Sequence, residues 1–164
     1  MLEKDMNVLF SSKSDEWATP GWLFDKLNVI HDFTLDPASD GTNNKCAKHY
    51  TIKENGLVQS WKDERVFINP PYSKVYDWVR KGHDEAKTND VTSILLVPAR
   101  MDTRWFHEYC MDKEVCKSLT FIKGRLKFGD SKNSAPFPSM LIHFGERLLG
   151  ANMNIPIHSM SNKR

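Results

Sequence analysis

Long apolar runs are missing from this chain. No stretch of its 164 residues approaches the ~20 consecutive apolar side chains that span a bilayer. The opening segment, MLEKDMNVLFSSKSDE, lacks the apolar core of a secretion signal, so neither membrane insertion nor export is expected. Cysteine is scarce: Cys46, Cys110 and Cys116 are an odd set without a C-x-x-C pair. That argues against a disulfide framework and for reduced thiols in a cytoplasm. The six histidines are scattered without ligand spacing, and no metal site is expected. No Ser/His/Asp triad is evident. Net charge is only +2, with a pI of about 8.4, so any surface for nucleic acid must be a local basic patch.

What is present reads as one folded unit. A domain of this length buries roughly 70% of its unfolded surface, and no repeat or linker divides it. We expect a flexible arm over residues 1–15, a single domain over 16–145, and a weakly patterned tail over 146–164. Thr19 is a plausible helix N-cap with Pro20 at the first helical position, and Leu23, Phe24, Leu27 and Ile30 then share a face. Short strands are expected through Phe33 and Leu35, at KHYT, and at RVFI. NGLVQSW reads as a turn into a short helical segment. Residues 74–88 read as a helix burying Val75, Trp78, Val79 and Ala86. VTSILLV is a buried strand. DTRWFHEYCM is helical, capped by Asp102 or Thr103, with Trp105, Phe106, Tyr109 and Cys110 inward. SLTFI, RLKF and SMLIHF complete the strands. This alternation predicts an α/β fold: a compact, Rossmann-like, mostly parallel sheet covered by helices on both faces.

Ligands in such sheets sit beyond the carboxyl ends of the strands, and two strands end there in unusual chemistry. The run Val66-Phe67-Ile68 leads into Asn69-Pro70-Pro71-Tyr72. Each proline fixes φ and lacks an N–H, so the segment cannot continue a sheet ladder. It presents rigid acceptors beside an aromatic ring, which suits a planar group bearing an NH2. The other strand ends in Asp36-Pro37-Ala38, followed by a polar loop. Asp36 is an acceptor suited to the hydroxyl or ammonium groups of a nucleoside-containing cofactor, or else the cap of an Asp-Pro turn. KGRLKFGDSK carries Lys123, Arg125, Lys127 and Lys132 against Asp130, a phosphate grip or an ordinary solvated hairpin. Phe137, between Pro136 and Pro138, is either an aromatic contact for a base or a hydrophobic plug. Trp17 and Trp22 read as core.

Taken in order, DEWATP with LFDKL, FTLDPAS, HYTIKENGLVQSW, RVFINPPYS, Trp78, KGRLKFGD and SAPFPSMLIHF resemble the phage-type DNA adenine-N6 methyltransferases. The match runs over about four-fifths of the chain. The NPPY string resembles motif IV of S-adenosylmethionine-dependent amino-methyltransferases. The resemblance implies a cytoplasmic enzyme acting on double-stranded DNA, with S-adenosyl-L-methionine as cofactor. It implies catalytic roles for Asn69, Pro70, Pro71 and Tyr72. It places Thr19 and Pro20 toward the methionine end of the cofactor, with Asp36, Pro37 and Ala38 at the end of the first strand. Either Glu54 or Asn55 contacts its adenine, and Lys123, Arg125, Lys127 and Phe137 face DNA. The glycine-rich G-x-G loop of the wider superfamily is missing; only Gly41 follows Asp36.

The chemistry follows from the residues. The exocyclic nitrogen of adenine is a poor nucleophile because its lone pair is delocalised. The Asn69 side-chain oxygen and the Pro70 carbonyl can each accept one of its hydrogens, turning the lone pair toward a donor methyl. Tyr72 would stack on a base flipped from the duplex. Two other readings share parts of this pattern: a protein-glutamine methyltransferase, whose substrate amide resembles the amino edge of adenine, and a non-catalytic nucleic-acid-binding module.

Overall fold

The structure, a computed structural model, describes residues 17–145 and 157–161. The expected arm over residues 1–15 lies outside the described residues. In chain order the elements are α1 (Gly21–His31), β1 (Leu35–Asp36), β2 (Lys48–His49) and β3 (Arg65–Ile68). A 3-10 turn (Tyr72–Lys74), α2 (Val75–Asn89), β4 (Thr92–Pro98) and a π-helical turn (Phe106–Cys110) follow. β5 (Cys116–Lys123), β6 (Ser139–Phe144) and β7 (Ile157–Ser161) complete the described set. The strands form one seven-stranded sheet in the order β2-β1-β3-β4-β6-β5-β7. Pairings are parallel at β1–β2, β1–β3, β3–β4 and β5–β7, and antiparallel at β4–β6 and β5–β6. The expected α/β fold with a mostly parallel sheet is the observed one.

Both faces of the central strands are buried, which explains their continuous apolar runs. Ile94 and Leu96 of β4, Phe67 of β3 and Leu141 of β6 pack with Leu23, Phe24 and Leu27 of α1. The alternate residues Leu95, Val97, Val66, Ile68, Met140, Ile142 and Phe144 pack with Val75, Trp78, Val79 and Ala86 of α2. The period of two therefore divides each strand between two cores. Among the described residues no helix is long and apolar enough to cross a membrane, and Cys46, Cys110 and Cys116 are buried free thiols.

Several local expectations are corrected. Pro20, rather than Thr19, occupies the N-cap position of α1; its carbonyl accepts the Leu23 and Phe24 N–H groups at 3.1 and 3.2 Å, with no side-chain cap. Ile30 is 72% exposed, one residue before the end of the helix, which closes at Asp32 in the left-handed region. NGLVQSW forms turns without a helix. Thr103 does stand at the head of the helical turn, its carbonyl accepting the His107 N–H at 3.3 Å, but its hydroxyl donates to the Arg100 carbonyl at 2.6 Å instead of capping. RLKF is a loop: the Leu126 carbonyl is taken by the Ala135 N–H at 2.7 Å, so no strand partner reaches it. Residues 157–161, expected in a weakly patterned tail, form β7 beside β5.

Candidate active site

The site forms where β1 and β3 end side by side. β3 stops at Ile68, paired with Leu95 of β4. The next residues, Asn69-Pro70-Pro71, lack the proline N–H groups that would extend the ladder. The chain instead rises off the sheet and turns into the Tyr72–Lys74 turn, with the Lys74 N–H donating to the Pro71 carbonyl at 2.9 Å. A cavity of about 500 Å³ opens beside this turn, and its lining includes Trp17, Pro37, Ala38, Asn55, Asn69 and Pro71. That volume lies in the range of small-molecule sites, ~300–1,000 Å³.

Asn69 is held in one orientation. Its Nδ2 donates to the Trp17 carbonyl and, at 3.0 Å, to Thr19 Oγ1. A carbonyl only accepts, so the amide nitrogen must face Trp17. Asn69 Oδ1 is left shielded from solvent with no hydrogen-bond partner in the structure. The Tyr72 hydroxyl and Trp78 Nε1 are in the same state. Asn69 and Trp78 line the cavity and Tyr72 does not; a buried group without a partner costs roughly 1–3 kcal/mol. Burial also pushes the Tyr72 hydroxyl pKa well up, so it stays protonated.

Asp36 lies beside a smaller recess that it shares with Thr19, Ala38, Lys45 and Asn69. It is not on the wall of the main cavity. Its oxygens accept the Lys45 N–H at 2.9 Å and the Ala38 N–H at 3.3 Å. Burial raises its pKa, and these two backbone donors work against that rise. The carboxylate thereby braces the 37–45 loop that walls the cavity.

Between the two candidates for the cofactor's adenine the geometry is asymmetric. Asn55, in the left-handed region at φ 54, lines the cavity. Glu54 instead turns back to accept the Thr51 N–H at 2.8 Å and its hydroxyl at 2.6 Å. Gly56 is obligatory here, because a Cβ would stand 2.1 Å from the Pro37 carbonyl oxygen.

Tyr72 sits in an aromatic cluster. Its ring lies 6.5 Å from that of Trp17, nearly parallel at 18°, and 5.3 Å from that of Phe137. Phe128 packs edge-on against Trp17 at 5.4 Å. Trp17, expected in the core, packs against it half-buried and lines the cavity as well. Asn43 and Lys74 on the cavity wall were not singled out, Ile52 was named only within a matching motif, and Trp78 only as an inward helix residue and a motif match. Lys123, Arg125 and Lys127 point to solvent, while Leu126 and Phe128 are buried. The Gly129 N–H donates to the Ala18 carbonyl at 2.8 Å, which pins this basic loop beside the aromatic cluster. Pro20 is buried away from the cavity wall.

A family model for DNA N-6-adenine-methyltransferase (Dam) matches residues 7–162. The chain belongs to this family. The methyltransferase is 25% identical over 163 residues to the DNA N-6-adenine-methyltransferase of Haemophilus phage HP1, covering 93% of this chain and 92% of that one. It is 34% identical over 96 residues to the DNA N-6-adenine-methyltransferase of Escherichia phage T1, covering 57% of this chain and 40% of that one. Its fold is similar to the crystal structure of a candidate RNA methyltransferase from Pyrococcus horikoshii. The TM-score is 0.53 at 13% identity, over 82% of this chain and 88% of that one. Membership favours DNA methylation over the protein-glutamine and non-catalytic readings.

Proposed function

We propose that this methyltransferase moves the methyl group of S-adenosylmethionine to N6 of an adenine flipped out of double-stranded DNA. The observation that carries this reading is the orphaned Asn69 Oδ1 beside a cavity of about 500 Å³. An acceptor that is buried, oriented and unpaired is matched by an incoming amino group. The residues present suit a nucleoside-bearing cofactor: polar side chains from the 37–43 and 51–55 loops, with the Trp78 indole N–H unpaired on the wall. Asn55 is the candidate for the cofactor's adenine, because Glu54 is spent on capping Thr51. Pro37 and Ala38 form wall, and Asp36 acts through the loop it braces.

When bound, the cofactor supplies a sulfonium methyl that leaves without acid assistance. The chain's own task is to make the amino nitrogen nucleophilic. Asn69 Oδ1 and the Pro70 carbonyl accept its two hydrogens in hydrogen bonds and favour a tetrahedral nitrogen whose lone pair is withdrawn from conjugation with the ring. They also stabilise the positive charge that grows as nitrogen attacks. Pro70 and Pro71 keep these acceptors rigid. Tyr72, with Trp17 nearly parallel to it, offers aromatic faces to the base, a contact of ~1–3 kcal/mol that offsets part of the flipping cost. Lys123, Arg125 and Lys127 meet phosphates, and Phe137 backs Tyr72.

The deciding experiment offers methyl-labelled S-adenosylmethionine with unmethylated duplex DNA or with protein. Label recovered as N6-methyladenine is the expected result. Label in protein alone, or in neither, would overturn the proposal.

A further inference from the structure

The segment Trp17–Thr19 does more than border the cavity. Trp17 gives its carbonyl, and Thr19 its hydroxyl oxygen, to the two N–H groups of the Asn69 amide. Ala18, between them, gives its carbonyl to Gly129 of the basic loop at 2.8 Å. Thr19 is 6% exposed and lines the small recess, which shares Ala38, Asn43 and Asn69 with the main cavity. An asparagine amide can sit either way round, and only one way leaves its oxygen free to accept. Here both N–H groups are consumed, so the free atom is Oδ1.

We infer that Trp17–Thr19 is a positioning strap that fixes the Asn69 amide with its oxygen toward the substrate amino group, Thr19 being a positioning residue. The inference rests on the proposed methyl transfer and adds to it what sets the acceptor. The same strap dictates how Asn69→Asp behaves. An ionised carboxylate there would set an oxygen against the Trp17 carbonyl oxygen, acceptor against acceptor. Only the protonated acid, donating to Trp17 and keeping its other oxygen free, reproduces the native arrangement.

The test begins with Thr19→Val, which keeps shape and removes the hydroxyl, and with Thr19→Ser, which restores it. Loss of one oriented hydrogen bond predicts a fall in kcat of about ten-fold for Thr19→Val. Cofactor affinity and KM for DNA should stay within about two-fold, and Thr19→Ser should recover most of the rate. A wild-type kcat in Thr19→Val, or weakened cofactor binding with unchanged kcat, would overturn the inference. Asn69→Asp gives an independent readout if Thr19→Val fails to fold. Its activity relative to wild type should rise as pH falls, since the active form is protonated and is lost as pH rises through its pKa. A pH-independent ratio counts against the strap. Exchange of the Asn69 side-chain NH2 protons, followed by NMR in the free protein, needs no activity. It should be slowed in the wild type and faster in Thr19→Val, and equal rates would refute the strap even if the chain methylated nothing. The wild-type labelling assay uses no variant and so separates failure of the functional reading.

Discussion

Asn69 shows how a single side chain acquires a role from its neighbours. Free asparagine offers a donor and an acceptor with equal ease. Here the Trp17 carbonyl and Thr19 hydroxyl take the donor end, and the acceptor end remains unpaired. Each hydrogen bond to a charge-bearing group contributes ~1.5–3 kcal/mol. Asn69→Ala should therefore slow methyl transfer by roughly ten-fold to a few hundred-fold, with cofactor affinity little changed. Calorimetry for the cofactor and single-turnover rates for transfer check both halves, and a wild-type rate would end the proposed mechanism. Asp36 makes the complementary point. Its position at a strand end suggests a ligand contact, yet two backbone N–H groups occupy it. The type of residue was legible in sequence; its partners, nine and two positions along the chain, emerged only when the loop closed over it.

At the scale of elements, the contact between the 51–58 loop and the end of β1 governs the cavity wall. Gly56 packs so closely on Pro37 that a methyl group would overlap its carbonyl oxygen. The Gly56 carbonyl also accepts the buried Trp61 indole N–H at 3.0 Å. Gly56→Ala must displace the loop, and with it Asn55. We expect cofactor binding to weaken by about five-fold to a hundred-fold, on the order of 1–3 kcal/mol for a strained overpacked site; unchanged affinity by calorimetry would show that the loop does not hold the cofactor.

A second element contact, between the end of α1 and β6, is pH-sensitive. The His31 and His143 rings lie 5.2 Å apart. Burial first, then His31 and Lys117, lowers His143 to about 4 from 6.5, and burial then Lys117 lowers His31. A histidine with a depressed folded pKa takes up its proton more readily in the unfolded chain. Its stabilising neutral state is intact above about pH 6.5 and is lost as pH falls toward 4. Thermal melts of His143→Gln should show a flatter pH dependence across that window than the wild type, and parallel curves would exclude the pair as its source.

For the whole molecule, the question is how a chain of net charge +2 holds DNA. Lys123, at the end of β5, and Arg125 and Lys127, on the loop that follows, are exposed, and the Gly129 N–H ties that loop to Ala18 next to Phe128 of the aromatic cluster. Phosphate binding releases condensed counterions, with a slope near −0.9 per phosphate neutralised in plots of log affinity against log salt. Lys127→Ala should reduce that slope by roughly one unit and weaken all duplexes alike. Salt titrations on matched duplexes decide it, and an unchanged slope would remove the loop from the DNA surface. Cofactor binding should not respond, because Lys127 is absent from the cavity lining.

The sequence by itself determined those features that local chemistry enforces. Continuous apolar runs in VTSILLV and SMLIHF require strands covered on both sides. Prolines after Asn69 require the ladder to stop there. The ordered motifs pointed to the family before any contact was known. RLKF kept its alternation of exposed and buried side chains without becoming a strand, since periodicity reports facing and not hydrogen bonding. β7 left little trace, because pairing along a sheet edge is made by backbone groups that every residue possesses. The atoms that meet Asn69 belong to the tertiary structure alone. Trp17 stands 52 residues away in sequence, and no local rule links a carbonyl to an amide across that distance. Only burial of α1 against the sheet, with the basic loop closing over Ala18, brings them within bonding range and thereby decides which end of the amide is free.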